Sequence, residues 1–306
     1  MKISFMAGFR AQANLPFVAA YVAKQNGFFI EEGLDVAIRH SSGQNEHLKL
    51  LLEDEVQITT ATAAQLLIRR ADEIPVVSVA LFGQRGDQGF VARADSGIKT
   101  PADFAGRSVG FKAGVIPAEL HALLGTAGLT VDDVELRAVG FDPRSFIEGQ
   151  VDVYPVFLNN EPDTIRRAGV EIEVIDPQEF GVPTLGVNYI VTEDMLANDR
   201  DVVERFLRAT LRAVEWITAH VDESVDVTLT YAEGADPEHQ RFLLTTDIEN
   251  ALRADGIGRG TLEQWVALRE VLEEFQLLEG AVDVATAFDG SIVDTLYEIG
   301  LPASAP

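Results

Sequence analysis

Three polar residues that follow an apolar run near the middle of the chain have the types and spacing of a small-molecule binding site. The run is VDVYPVFL (151–158), and Asn159, Asn160 and Glu161 follow it directly. An amide side chain both donates and accepts hydrogen bonds, and a carboxylate accepts two or more. Together these groups can pair with the polar edge of a heterocyclic ring.

The residues around this motif predict where it lies in the fold. A run rich in Val, Tyr and Phe predicts a mostly buried strand, and Pro162 suits the first turn of a following helix. The polar residues then lie at the carboxyl end of a strand, which is where ligands bind in open α/β sheets. A second interpretation stays open, in which Glu161 and the two asparagines only cap the helix.

Further candidates lie at or after the ends of the other predicted strands, where loop or capping roles are the alternative to ligand contact for most of them, and two, Asn188 and Tyr189, lie within the predicted strand 185–191. In chain order they are Phe9, Asn14, Ser42, Gln44, Thr60, Thr62, Gln84, Arg85, Gly114, Asn188 and Tyr189. Gly114 belongs to a loop that precedes a predicted helix and can offer backbone amide donors. Phe9, Tyr154 and Tyr189 are the aromatic residues nominated for stacking on a ligand, although strand alternation also allows Tyr154 a place in the core.

The elements that must position these residues alternate between strand and helix along most of the chain, which predicts parallel α/β architecture. Strands are predicted at residues 2–7, 35–40, 56–61, 76–82, 90–93, 108–111, 134–139, 151–158, 171–175 and 185–191, with helices between most of them. From about residue 193 onward the sequence is almost wholly helical.

This order predicts two lobes. Residues 1–84 and 190–306 form a discontinuous lobe I, and residues 85–189 form lobe II with both chain crossings. The crossings, at residues 82–89 and 181–188, contain glycines that permit the backbone changes of a hinge, or that only serve turns.

Composition excludes several classes of function. The 306 residues carry a formal net charge of -25, so nucleic acid and anionic membrane surfaces would be repelled. The absence of cysteine excludes disulfides, thiolate zinc sites and a cysteine nucleophile. His40 and His47 do not have the spacing of a helical metal pair, and no phosphate-loop, dinucleotide or nucleophile-elbow motif is present. We therefore predict neither a metal nor a cofactor.

Five segments in a fixed order resemble a known family. They are AAYVAKQNGFFIEEGLDVAI (19–38), IPVVSVALFGQR (74–85), SGIKTPADFAGRSVGF (96–111), VDVYPVFLNNEP (151–162) and VVERFLRATLRAVEWI (202–217). In order and spacing they resemble the solute-binding proteins of ABC importers in the NMT1/THI5-like group, which are relatives of the sulfonate, nitrate and taurine binders. The resemblance extends over nearly the whole chain.

This resemblance implies a periplasmic-binding-protein-like fold of type II, with two Rossmann-like α/β lobes, a ligand cleft between them and two hinge crossings. It implies a monomeric binding protein rather than an enzyme, with a small-molecule ligand and a membrane permease as partners. The location would be periplasmic or extracellular, with a lipid anchor as an alternative. Because Met1 leads directly into a predicted strand, we expect any export leader to be absent from this chain.

The resemblance also narrows the range of expected ligands. In members that resemble pyrimidine-precursor binders, an acidic residue of the 151–162 motif is expected to meet the aminopyrimidine ring, and Glu161 is the matching position. The expected ligand is thus a thiamine pyrimidine precursor of the hydroxymethylpyrimidine type or a related aromatic heterocycle. Riboflavin is the first alternative and a sulfonate, taurine or nitrate the second. A pyrimidine-synthesising enzyme branch of the family uses a cysteine-rich motif, which this chain lacks.

Overall fold

The computed structural model describes residues 1–43, 45–112 and 116–300, and it divides the chain into two compact units. Unit 1 contains Met1–Gln84, Leu185–Arg269 and the chain from Leu278 onward, and unit 2 contains Arg85–Thr184 and Glu270–Leu277. Each unit is built around its own five-stranded sheet.

The strands are β1 (Lys2–Ala7), β2 (Asp35–His40), β3 (Ile58–Thr62), β4 (Val76–Leu81), β5 (Gln88–Arg93), β6 (Ser108–Phe111), β7 (Glu135–Ala138), β8 (Val153–Phe157), β9 (Ile172–Ile175) and β10 (Val187–Thr192). The helices are α1 (Leu15–Gln25), α2 (Phe28–Glu31), α3 (Glu46–Leu52), α4 (Ala63–Ala71), α5 (Ala118–Thr126), α6 (Arg144–Ile147), α7 (Glu161–Arg167), α8 (Glu193–Asn198), α9 (Arg200–Ala219), α10 (Val221–Leu229), α11 (Pro237–Ala251), α12 (Leu262–Glu274), α13 (Val284–Ala287) and α14 (Ser291–Ile299). Among the described residues, none of these helices combines the length and the apolar character that a membrane span requires.

Both sheets are mixed, which corrects the prediction of parallel architecture. The sheet of unit 1 has the order β2-β1-β3-β10-β4, and β10 is antiparallel to both of its neighbours. In unit 2 the order is β7-β6-β8-β5-β9, with β5 antiparallel to β8 and β9. A parallel pair needs a crossover on the same sheet. The chain passes from one unit to the other just before β5 and again just before β10. Neither strand is therefore joined to a preceding strand of its own sheet by a crossover, and both can lie antiparallel to their neighbours.

The unit boundaries differ from the prediction in two places. Residues 185–189, predicted for lobe II, belong to unit 1, because β10 pairs with β3 and β4 from Val187 onward. Residues 270–277, predicted for lobe I, belong to unit 2, where Val271 and Phe275 pack on its core. The helical pattern of this segment was evident in the sequence, but its packing partner was not.

The two cores follow from the apolar patterns of the elements. In unit 1, α1 is buried from Leu15 to Ala23, so it lies within the core rather than on the surface. The sheet of unit 2 has a core cluster on each face. Phe90 and Val153 belong to one cluster, whereas Val91 and Tyr154 belong to the other. This division follows from the alternation of side chains along a strand.

Close backbone contact explains the glycines of the predicted hinge. In unit 1 the Gly186 N–H donates to the carbonyl oxygen of Gly83 at 2.9 Å, and a Cβ at Gly83 would lie 2.6 Å from Gly186 Cα. In unit 2 the Gly86 N–H donates to the Thr184 hydroxyl at 2.9 Å. Only a residue without a side chain fits this contact at Gly83, so the glycine is explained without any appeal to backbone mobility.

Candidate functional site

In unit 2 the carboxyl ends of three strands form one edge of the sheet, because β6 is parallel to both β7 and β8. Lys112 directly follows β6, Phe141 follows β7, and Phe157 is the last residue of β8. Glu161 is the first residue of α7. The chain thus brings residues from four separate segments to the edge at which α/β sheets bind ligands.

Lys112 and Glu161 form a buried ion pair at this edge. The Lys112 ammonium donates to Glu161 Oε1, and the two side chains are only 12% and 6% exposed. Burial lowers the pKa of Lys112, and the adjacent Glu161 carboxylate opposes that shift. A buried charge is tolerated only with such a partner, so each side chain requires the other.

Three aromatic rings surround the Lys112 ammonium. Its nitrogen lies 4.9 Å from the centroid of the Tyr154 ring, 5.3 Å from that of Phe157 and 5.5 Å from that of Phe141. These are cation–π distances. Tyr154 is fully buried, but Phe141 is 60% exposed and offers a free aromatic surface.

Glu161 does not have the geometry of a helix cap. Its second carboxylate oxygen, Oε2, accepts the Phe157 N–H at 2.7 Å, and Phe157 precedes the helix that Glu161 begins. The carboxylate therefore holds the end of β8 and Lys112 together. Asn160 occupies the N-cap position of α7, and Asn159 is buried beside it.

Tyr154 is fixed in the core of unit 2 below this edge. Its hydroxyl donates to the carbonyl oxygen of Gly140 at 2.8 Å, and burial raises its pKa. The residue is fully buried, with Lys112 near one part of its ring and Phe146 near another. It supports the site from within the core and does not present a ring face to solvent.

Most of the candidates in unit 1 have hydrogen-bond partners within that unit. Asn14 donates to Asp247 Oδ2 at 3.1 Å, and Ser42 donates to Glu46 at 2.7 Å. The Thr60 hydroxyl accepts the Gly8 N–H at 2.9 Å. Phe9 differs from these residues, because its ring is 47% exposed and packs against Arg10.

Thr62 and Gln84 also have clear structural roles. Thr62 is the N-cap of α4 and forms a reciprocal capping box with Gln65. Gln84 donates to the carbonyl oxygen of Arg259 at 2.9 Å and accepts from Arg253 at 3.0 Å.

Arg85 pairs in unit 2 with the buried carboxylate of Asp176 at 3.0 Å. Gln44 and Gly114, two further candidates, lie outside the described residues.

Tyr189 is a core residue, which corrects its nomination for stacking on a ligand. Its ring is fully buried and packs edge-on against Phe5, Phe82 and Phe206, and its hydroxyl donates to the Pro16 carbonyl at 2.5 Å. The neighbouring Asn188 is equally buried, and its amide donates to the Ala61 carbonyl at 2.8 Å. Central strands are buried on both faces, so the sequence does not show which side chains reach the sheet edge.

An aromatic cluster at the end of β2 was not predicted from the sequence. The Tyr21 hydroxyl and His40 Nε2 are 2.7 Å apart, and the Tyr21 ring stacks on Tyr231 with centroids 4.1 Å apart. Burial lowers the pKa of His40. The position of His40 as the last residue of the predicted strand 35–40 is the feature of the sequence that could have indicated this cluster. Within the ranges that the structure describes, no group of three metal-ligating side chains comes together.

A family model described as NMT1/THI5 like matches residues 14–224, which is more than half of the chain. This chain belongs to the NMT1/THI5-like family. The resemblance drawn from the five sequence segments is thereby confirmed.

This NMT1/THI5-like chain resembles two proteins whose names state what they bind. It is 28% identical to the formylaminopyrimidine-binding protein of Halalkalibacterium halodurans over 285 residues, covering 90% of this chain and 86% of the relative. It is also 28% identical to the riboflavin-binding protein RibY of Chloroflexus aurantiacus, with coverage of 92% and 83%.

Comparison with solved structures shows the fold. The crystal structure of the periplasmic aliphatic sulphonate binding protein SsuA from Escherichia coli matches with a TM-score of 0.73 at 14% identity, covering 94% of this chain and 91% of that one. The prediction of a periplasmic-binding-protein fold built from two α/β lobes is confirmed.

Proposed function

We propose that this chain is the solute-binding component of an ABC importer and that it binds a thiamine pyrimidine precursor or a related aromatic heterocycle. The observation that carries the proposal is the buried Lys112–Glu161 pair beside the exposed Phe141 ring, at the carboxyl edge of the unit 2 sheet. A heterocycle needs an aromatic surface together with a few fixed polar groups, and this edge supplies both.

The two named relatives support a binding role rather than a catalytic one. Both are called binding proteins, and their ligands are planar heterocycles with several hydrogen-bond acceptors. The lack of cysteine supports the same proposal, because the resemblance ties the pyrimidine-synthesising branch of the family to a cysteine-rich motif. A membrane permease as partner, and a location outside the cytoplasmic membrane, follow from the importer role and belong to the same proposal.

Riboflavin is the second candidate ligand, because the riboflavin-binding relative matches at the same identity and over slightly more of the chain. Its isoalloxazine ring is also planar and rich in acceptors. Titration of riboflavin with the protein distinguishes this candidate, since stacking on an aromatic residue quenches flavin fluorescence. A stoichiometric quench would make riboflavin the ligand.

A thermal-shift screen tests the proposal as a whole. The panel contains hydroxymethylpyrimidine, formylaminopyrimidine, thiamine, riboflavin and an alkanesulfonate. A ligand present at about 100 times its Kd stabilises the folded state by about 2.7 kcal/mol, which gives a clear rise in Tm. We expect the two pyrimidines to give the largest rise. Stabilisation by the alkanesulfonate alone would refute a heterocycle site.

A further inference from the structure

We propose that Lys112, and not Glu161, makes the principal polar contact with the ligand, and that Glu161 is a positioning residue that holds Lys112 in place. The inference rests on the proposed function, because it assigns the donor in that same site. It reverses the roles that the family resemblance implies for the acidic residue of the motif.

The carboxylate of Glu161 is already engaged on both oxygens. Oε1 accepts from the Lys112 ammonium, and Oε2 accepts the Phe157 N–H at 2.7 Å. Its side chain is 6% exposed. Each carboxylate oxygen can accept a further hydrogen bond, but so little of this side chain is exposed that a ligand amino group could reach it only by opening the contacts around it. Opening them would leave the Lys112 ammonium or the Phe157 N–H buried without its acceptor.

The ammonium of Lys112 has donors to spare. A lysine ammonium carries three N–H groups. Within the described ranges its hydrogen-bond acceptor is the Glu161 carboxylate, and three aromatic rings lie around it. Rings satisfy a cation weakly compared with an oxygen or nitrogen acceptor. The side chain is 12% exposed, and the exposed Phe141 ring lies beside its ammonium.

This arrangement specifies the class of ligand. Because Glu161 balances the charge of Lys112, the pair has no net charge, and the group that it accepts is a hydrogen-bond acceptor such as a ring nitrogen or a carbonyl oxygen. The exposed Phe141 ring favours a planar ligand that carries that acceptor. A neutral heterocycle with ring nitrogens fits these requirements, and a ligand whose only polar groups are donors does not.

The experiment compares the Kd values of Lys112→Met, Glu161→Gln and the double variant by calorimetry. The ligand is whichever member of the thermal-shift panel binds the wild-type protein. We expect Lys112→Met to weaken binding roughly 10- to 100-fold, as for a lost hydrogen bond to a charged group. Lys99→Met is the matched control, since it removes an exposed lysine from the same unit, and we expect its affinity to change less than about two-fold.

The double variant separates positioning from direct contact. If Glu161 acts through Lys112, Glu161→Gln has little further effect once Lys112 is Met, because interacting sites are not additive. If Glu161 contacts the ligand itself, the two losses multiply. The double variant also removes both members of the buried pair, so it folds without an isolated buried charge. Circular dichroism and Tm confirm folding of each variant.

A ligand analogue supplies an independent measurement. Replacing the ring nitrogens of the pyrimidine by carbon removes the acceptors and keeps the ring, so the analogue binds the wild-type protein more weakly and is insensitive to Lys112→Met. Unchanged affinity of Lys112→Met for the parent ligand would overturn the inference. If only the sulfonate binds the wild-type protein, the proposed function fails, but the sulfonate oxygens are acceptors too and Lys112→Met must still weaken that complex. Binding by no panel member refutes both proposals.

Discussion

His47 is a buried histidine in unit 1 whose imidazole is incompletely hydrogen-bonded. The residue is 6% exposed, and its Nδ1 has no partner among the described residues. Burial lowers its pKa to about 4, and Arg69 adds to this shift whereas Glu46 opposes it. The ring is therefore neutral in the folded protein at neutral pH.

The depressed pKa of His47 predicts an acid-dependent loss of stability. Between pH 6.5, where the unfolded histidine titrates, and about pH 4, the unfolded state binds more protons, so the stability is complete above this window and falls as the pH falls through it. We expect wild-type protein to lose about 3 kcal/mol more than His47→Gln between pH 7.5 and pH 4, measured by urea unfolding.

Comparison of wild type with His47→Gln cancels the contribution of carboxylate titration to the pH dependence of stability, because both proteins carry the same carboxylates. His121→Gln is the control, because it removes a half-buried histidine from the other unit. Parallel pH profiles for wild type and His47→Gln would show that His47 does not titrate abnormally.

At the scale of elements, the chain crossing at Gly83 depends on backbone contact. A methyl group at this position would lie 2.6 Å from Gly186 Cα and 2.8 Å from Val187 N, so the two segments would have to separate. We expect Gly83→Ala to lower the free energy of unfolding by about 1–3 kcal/mol, as overpacking does. Urea denaturation measures the change.

Gly125 provides the matched control for this substitution. It lies in α5, and a Cβ there would meet its nearest atom, Phe275 Cζ, at an ordinary 3.7 Å. Alanine should therefore leave stability unchanged or raise it by up to about 1 kcal/mol through helix propensity. Equal effects of the two substitutions would contradict the steric explanation.

The start of α4 gives a second prediction at this scale. Thr62 was a ligand candidate by its position, but its hydroxyl accepts the Gln65 N–H and the Gln65 side chain accepts the Thr62 N–H. We expect Thr62→Ala to cost about 1 kcal/mol of stability and to leave ligand affinity unchanged, whereas Thr62→Ser keeps both. Loss of affinity at unchanged Tm would instead return Thr62 to the binding site.

At the scale of the whole molecule, the main electrostatic feature is a formal net charge of -25. The chain has 49 acidic and 24 basic residues, so self-repulsion destabilises the folded state at low ionic strength. Ion pairs such as Arg208–Glu32, which joins α9 to the end of α2, use only part of the acidic excess.

Screening should therefore stabilise the protein. We expect Tm to rise as NaCl is raised from 0.02 to about 0.3 M, because the Debye length falls to below 10 Å over this range. KCl at the same ionic strength should give the same shift, since the effect is screening and not the binding of one cation. A Tm that falls with salt would mean that the ion pairs outweigh the repulsion.

Local sequence patterns predict the elements, and the order of the segments identifies the family. Alternating strand and helix signals placed most strands within a few residues, because hydrophobic period and Gly or Pro punctuation are local properties. The order of five segments identified the NMT1/THI5-like family, which the match over residues 14–224 confirmed. The pattern of VDVYPVFLNNEP likewise predicts that its polar residues lie at the carboxyl end of a strand.

Which side chains meet depends on long-range contacts that appear only in the folded chain. Lys112 and Glu161 are 49 residues apart and come together because β6 and β8 are neighbours in the sheet, which no local pattern encodes. Tyr189 and Tyr154 look alike in sequence and both are fully buried, yet the first packs among aromatic residues of unit 1 whereas the ring of the second lies beside the Lys112 ammonium. A strand buried on both faces carries no polar alternation, so strand order and register must be known before its side chains can be assigned to core or site.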